Sequence, residues 1–325
     1  MHPSEDALRR DTAAPGGLSA NGLSEFMHTE KRETMWKTKL CLGTGCQFDL
    51  PVPEQIRLFR KIGFDGFFTD YTGHADVKEQ KRIADETGML YQSVHAPFGR
   101  MKEMWETGEE AAAELMDCLR ACAENGIPMM VAHTFIGFQD HSPNARGLEN
   151  FGKVVAEAER LGVKVAFENT EGEEYLAAVM ERFGSSPAVG FCWDTGHEMC
   201  YNHSKDLLAL YGDNLIATHL NDNLGIRDYG GETTWIDDLH LLPFDGIADW
   251  ADIADRLNRC NYNGVLTFEL NRLSKPDRHE NDFYKEMPIE QYLTLAYMRA
   301  CRVAALLERR RGAVEAAAET DDLTV

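Results

Sequence analysis

The sequence predicts a single parallel (β/α)8 barrel, and three observations carry the prediction. Eight short runs of β-branched and aromatic residues each precede an amphipathic stretch, the pattern of repeated strand-then-helix units. No Gly-x-Gly-x-x-Gly follows the first strand, as a doubly wound dinucleotide-binding sheet would require. A chain of 325 residues holds one barrel of about 250 residues plus flanking tails.

The strands are expected at 39–46, 66–71, 90–97, 129–135, 164–170, 189–194, 216–222 and 265–271. Helical periodicity follows each of them, at 53–63, 76–88, 108–125, 146–161, 173–183, 204–211, 249–260 and 288–309. Gly63, Gly88, Gly126 and Gly162 stand just past four of these stretches, where a left-handed C-cap takes glycine. The one long connection, about 223–248, lies between the seventh strand and its helix, and a long loop in a compact domain is usually functional. Residues 1–35 and 310–325 are rich in small and charged residues without sustained apolar period. Both are expected as disordered tails around a barrel spanning 36–309.

Composition narrows the function classes. With 43% apolar and 27% charged residues the chain is globular, and no apolar run approaches a membrane span. The N-terminus has neither a basic n-region nor an apolar h-region, so a cytoplasmic location is expected. Eight cysteines without a Cys-x-x-Cys pair read as reduced thiols. A formal charge of -21 repels polyanions, so no nucleic-acid or membrane partner is expected. A homo-oligomer is left open.

Strand alternation separates the faces. In 164–168, Val165 and Phe167 share one face while Ala166 and Glu168 share the other. In 189–194, Val189, Phe191 and Trp193 oppose Gly190, Cys192 and Asp194. In 266–269, Leu266 and Phe268 oppose Thr267 and Glu269. The bulky faces suit the outer helices, which turns the carboxylates into the barrel at its C-terminal mouth. His219 joins them from the seventh strand. Glu168, Asp194, His219 and Glu269 then end strands five to eight, separated by 26, 25 and 50 residues. Three carboxylates in one concavity repel unless a proton or a cation holds them together. One divalent metal is therefore expected: an oxygen-rich set with one imidazole suits Mn2+, Mg2+ or Co2+, with Zn2+ also within range.

His95, His133, His197, Asp238 and His240 stand at or just beyond the same strand ends and are candidate substrate contacts, His197 foremost because it follows Asp194 by three residues. Arg100, Lys102, Arg227, Arg272, Lys275 and Arg278 fall in loops expected to open toward the mouth. Of these, Arg227 and Arg272 are carried forward as holders of an anionic substrate group. Phe48, Phe98, Trp105, Phe138 and Trp235 are candidate faces for a sugar ring.

The segments Ser93-Val-His-Ala-Pro-Phe98, Phe167-Glu-Asn169, Trp193-Asp-Thr-Gly-His197, Thr218-His-Leu-Asn-Asp222, 240–246 with Asp249-Trp250, and Phe268-Glu-Leu270 resemble the xylose isomerase-like barrel superfamily, over about residues 38–308. That group includes sugar isomerases, ketose 3-epimerases, inosose-processing enzymes and endonuclease IV. The resemblance implies Glu168, Asp194, His219 and Glu269 as ligands of one divalent metal, with Mn2+ first, and His197 beside the substrate. It implies a metal-dependent sugar or sugar phosphate isomerase or epimerase. Thr170 stands where xylose isomerases proper carry the Lys of a Glu-x-Lys, so proton transfer through an enediolate is expected rather than a two-metal hydride shift, with Glu168 and Glu269 as the acid–base pair. Counterparts of the trinuclear zinc ligands of endonuclease IV are also present, so a zinc abasic-site nuclease is one alternative. A metal-assisted lyase or dehydratase on a polyol or glycoside is another, and a non-catalytic sugar-binding barrel a third.

Overall fold

The computed structural model describes residues 37–45, 47–138, 142–227 and 233–322, with side chains as far as Gly312. The expected N-terminal tail and Cys46 lie outside them. The eight strands are β1 (Leu40–Gly43), β2 (Gly66–Asp70), β3 (Leu90–His95), β4 (Met129–His133), β5 (Lys164–Glu168), β6 (Val189–Asp194), β7 (Leu215–His219) and β8 (Leu266–Phe268). All pair in parallel in the order β7-β6-β5-β4-β3-β2-β1-β8. A bridge from Leu220 to Phe268 closes the ring, with Leu220 N–H donating to the Thr267 carbonyl (2.8 Å).

Outside run α1 (Val52–Ile62), α2 (His74–Thr87), α3 (Glu109–Glu124), α4 (Ala145–Leu161), α5 (Glu173–Phe183), α6 (Thr195–Cys200), α7 (Leu207–Tyr211), α8 (Trp250–Arg259), α9 (Asp282–Lys285) and α10 (Ile289–Asp322). The expected strands and helices are all present, but most strands stop two or three residues early, where the chain leaves the ladder to line the mouth. Two helices differ more. α6 begins directly at the end of β6 because the Asp194 side chain caps it, accepting from His197 N–H (2.7 Å). α10 continues through 310, where a tail was expected. Arg310 pairs there with Asp255, and Arg311 donates to Asn258 Oδ1 and the Tyr262 carbonyl, so α8 holds the extension. Among the described residues no helix is long and apolar enough to cross a membrane.

The alternation read from the sequence holds. Met129, Val131, Ala166, Cys192 and Ala217 form one cluster inside the barrel. The bulky face packs outward: Phe167 meets Phe151 of α4 edge-on (5.6 Å between ring centroids), Phe191 meets Tyr211 of α7 (5.4 Å), and Trp193 lies under the guanidinium of Arg256 from α8 (4.7 Å). Burying each such aromatic contributes about 1.5–3 kcal/mol. The small inward residues leave the upper interior free for longer polar side chains.

Candidate metal and substrate site

Register brings the candidate ligands together. His133 is the Cα partner of Glu168 across β4 and β5, and Asp194 is the partner of His219 across β6 and β7. Glu269 follows β8 immediately, its N–H donating to the Leu220 carbonyl (3.3 Å). Single donor atoms from Glu168, Asp194, His219 and Glu269 all lie within 4.8 Å of one another. His219 Nδ1 stands 3.0 Å from both Glu168 Oε1 and Glu269 Oε2, and Phe68 stacks on its ring (4.7 Å, 16°). Its Nε2 has no hydrogen-bond partner among the described residues, so Nδ1 is the nitrogen that faces the acidic oxygens.

Glu168 is fully buried at the centre of four imidazoles: His219, His95 Nε2 (3.2 Å), His133 Nε2 (3.5 Å) and His197 Nδ1 (3.5 Å). Burial pushes its carboxyl up, but the charge of His219 and hydrogen bonds from His133, His219 and His95 outweigh it and hold the group well below the usual range. Burial likewise opposes ionisation of Glu269, yet His219 and His240 bring it down to about 2. At Asp194 burial, helped by the charges of Glu168 and Glu269, outweighs His197 and His240 and pushes the carboxyl up to about 6. It is fixed by Asn221 Nδ2–H (2.9 Å), while its backbone N–H donates to Asn169 Oδ1 (2.7 Å). An added Cβ at Gly196 would come within 2.0 Å of Asn221 Oδ1, so only glycine lets α6 start this close to the Asp194–Asn221 pair. A buried anionic set with one imidazole, pre-positioned by neighbouring amides, fits a divalent cation.

Above this floor opens a cavity of about 250 Å3, lined by His95, His133, His197, Asp238, His240 and Glu269 from the expected set. Asp238 Oδ2 lies 2.9 Å from His240 Nε2 and 3.6 Å from His197 Nε2. Despite burial, the facing carboxylates Asp194 and Asp238 raise His197 well above its ordinary value, and Asp238 and Glu269 raise His240 to about 9. His133 runs the other way, lowered by burial.

Asp222 builds the loop that delivers Asp238 and His240. Its carboxylate accepts from the N–H groups of Asn223, Phe244 and Ala248 and from Trp250 Nε1–H (2.8 Å), and its backbone exchanges two 2.9 Å hydrogen bonds with Leu241. His240 itself sits in the left-handed region (φ 51°), stabilised by a contact of its Nδ1 with the Glu269 carbonyl (3.2 Å).

Several sequence expectations need correction. Arg272 spends its guanidinium on the carbonyls of Tyr284, Lys285 and Met287, and Arg227 is exposed; neither lines the cavity. Arg100 is paired with Glu103 and Glu110, and Arg278 with Asp237 (3.5 Å). Phe48 packs against Phe59 and Tyr292, and Trp105 is buried with its Nε1–H on the Thr134 carbonyl, so both are core. Four lining residues were missed: Asp70, Ile136, Glu171 and Tyr201. Asp70 was legible, as a carboxylate one residue before the end of the second expected strand; Tyr201 became visible only through α6, which stacks it on His197 (5.0 Å).

Comparison with known proteins agrees with this geometry. An uncharacterized protein, y4fM, of Sinorhizobium fredii (strain NBRC 101917 / NGR234) is 28% identical over 264 residues, covering 68% of this chain and 82% of its own. The 3-keto-D-glucoside 4-epimerase YcjR from E. coli superposes with a TM-score of 0.58 at 20% identity, covering 82% of this chain and all of that one. D-psicose 3-epimerase from Clostridium cellulolyticum H10, solved with D-tagatose, gives 0.59 at 15% identity, with coverage of 84% and 99%. Residues 56–287 match the family described as xylose isomerase-like TIM barrel, and with a closed eight-stranded ring carrying its polar cluster at the strand ends, the chain belongs to that family.

Proposed function

We propose that the protein is a divalent-metal-dependent sugar isomerase or epimerase working by proton transfer. The observation that carries the reading is the convergence of Glu168, Asp194, His219 and Glu269 beneath a cavity of one-sugar size. Solved barrels of similar fold that are named as sugar epimerases support it. A cation held by these four residues, with Mn2+ the first candidate, would polarise a substrate carbonyl and acidify the neighbouring C–H.

The chain's own groups do the rest. Glu269 is the ligand whose carboxylate reaches the cavity, and held low by His219 and His240 it is ionised and ready to accept the proton from carbon. His197, pressed between Asp194 and Asp238, keeps its proton and donates a hydrogen bond to the developing enediolate oxygen. Glu168, ionised at rest, relays a proton drawn from the His95 imidazole 3.2 Å away to the opposite face for epimerisation or to the adjacent carbon for isomerisation, and His95 is reprotonated from solvent as Glu269 releases the proton it took. His95, His133, His240 and Asp238 bind substrate hydroxyls.

Turnover in D2O tests this. Deuterium enters product at the reacting carbon if a protein carboxylate carries the proton; label retained wholly from substrate would mean hydride shift and sink the proposal.

One observation favours a second reading. His95, His133 and Glu168, and separately Asp194, His197 and His240, also bring donor atoms within 4.8 Å, room for more than one cation, as a zinc abasic-site nuclease requires. Elemental analysis separates the two: about one metal per chain supports the sugar enzyme, and about three zinc ions would turn attention to nicked abasic DNA.

A further inference from the structure

We infer that the substrate is an uncharged glycoside whose sugar ring carries the carbonyl the reaction needs, with that ring on the polar floor and an apolar ring substituent on an aromatic rim. The inference rests on the sugar-acting reading above and names its substrate class.

The lack of a lysine or arginine among the described lining residues is the first support. Among the described residues lining the cavity there is no Lys or Arg, and beyond the metal set stand three further carboxylates, Asp70, Glu171 and Asp238. Residues 139–141 and 228–232 carry no Lys or Arg in the sequence either. Lys275, which reaches Asp238 of the lining, is nearly buried between that carboxylate (3.8 Å) and the face of Trp235 (5.3 Å). Calling it away to a phosphate would leave Asp238 to its two imidazoles and expose the phosphate to Asp70 and Glu171. Like charges in one cavity cost more the drier it is, so a phosphorylated sugar is opposed by the walls.

The rim is the second support. Phe98 is 42% exposed, Phe138 37% and Trp235 53%, three of the few large apolar side chains left open to solvent. Phe98 and Trp235 line the cavity, with Phe98 stacked flat on His133 (4.7 Å, 21°). Phe138 leans edge-on against Tyr201 (5.6 Å), itself a lining residue. Each holds one ring face or edge against the protein and keeps the rest in water. A volume of about 250 Å3 falls below the ~300–1,000 Å3 of pockets that enclose drug-sized ligands, so one sugar ring fills the floor and a second ring reaches the rim. Aromatic faces bind apolar ring faces and leave hydroxyl recognition to the floor.

Calorimetry on the full chain loaded with Mn2+ tests this with three probes: methyl β-D-glucopyranoside, phenyl β-D-glucopyranoside and D-glucose 6-phosphate. The expected result is phenyl over methyl glucoside by at least 10-fold, with the phosphate weakest. Trp235→Ala and Phe98→Ala should each draw the phenyl-to-methyl ratio toward one, and Trp235→Phe should restore it. Tightest binding by the phosphate, a ratio near one in the wild type, or a ratio untouched by both alanine variants overturns the inference while leaving a sugar enzyme standing. Failure of all three probes to bind overturns the inference, while the sugar enzyme stands or falls separately on deuterium incorporation.

Discussion

His219 Nδ1 lies 3.0 Å from Glu168 Oε1, a contact between the ends of β5 and β7 that crosses the strand between them. It reaches over Asp194 and thereby gathers three consecutive strand ends around one point. Glu168 is the centre of that arrangement, and its charge is what the surrounding imidazoles answer.

Replacing Glu168 by Gln is therefore expected to empty the metal site and to lower deuterium incorporation at least 100-fold, with far-ultraviolet circular dichroism unchanged. Metal content after dialysis is the first readout. A variant that keeps its metal and exchanges label at the normal rate would remove Glu168 from both roles.

Asp222 touches no substrate, yet four hydrogen bonds to its carboxylate shape the segment that carries Asp238 and His240. Asp222→Ala is expected to cost about 1–3 kcal/mol in urea unfolding, because its buried donors are left unmet, and to raise KM more than it alters metal content. Gly246→Ala should mimic it, since an added Cβ would come within 2.2 Å of Asp222 Oδ1. Unaltered stability in both would show that the loop is held elsewhere.

Arg256 is the structural counterpart on the outer face. It forks onto Glu198 (2.6 and 2.9 Å), which also accepts from Trp193 Nε1–H (2.9 Å), and all three are buried. Arg256→Ala strands the Glu198 carboxylate, at an expected cost of about 3–5 kcal/mol. Metal stoichiometry in the folded fraction should stay at the wild-type value; its loss would mean that the β6 end depends on this outer brace.

Asp194 sets a pH dependence. Its folded value of about 6 exceeds the ordinary 3.8, so in metal-free protein it favours the fold fully below about 3.8 and that contribution is lost as pH rises through about 6. Asn stands in for the neutral acid, so metal-free wild type and Asp194→Asn should melt closest together near pH 4 and separate toward pH 7, with the wild type falling relative to the variant. Proton and cation compete for the same oxygen, so metal affinity should fall as pH drops below 6. A constant gap in melting temperature, or affinity flat from pH 7 to 5, would contradict this assignment.

The barrel and the four candidate ligands at its strand ends were legible in the sequence. A period of two along each strand sorts large from small residues, and only one sorting buries Phe167, Phe191 and Trp193 against helices while turning Glu168 and Asp194 inward. Gly63, Gly88, Gly126 and Gly162 marked the C-terminal ends of α1, α2, α3 and α4 by an equally local rule. Which loop groups reach the mouth followed from the closed ring alone. Arg272 and Lys275 are three residues apart and equally cationic, yet one is consumed by the carbonyls around Met287 and the other lies between Asp238 and Trp235. Loop side chains have no period to follow. Their direction is set by whichever distant backbone or carboxylate the closed ring brings within hydrogen-bond reach, and that partner is invisible until the chain has folded.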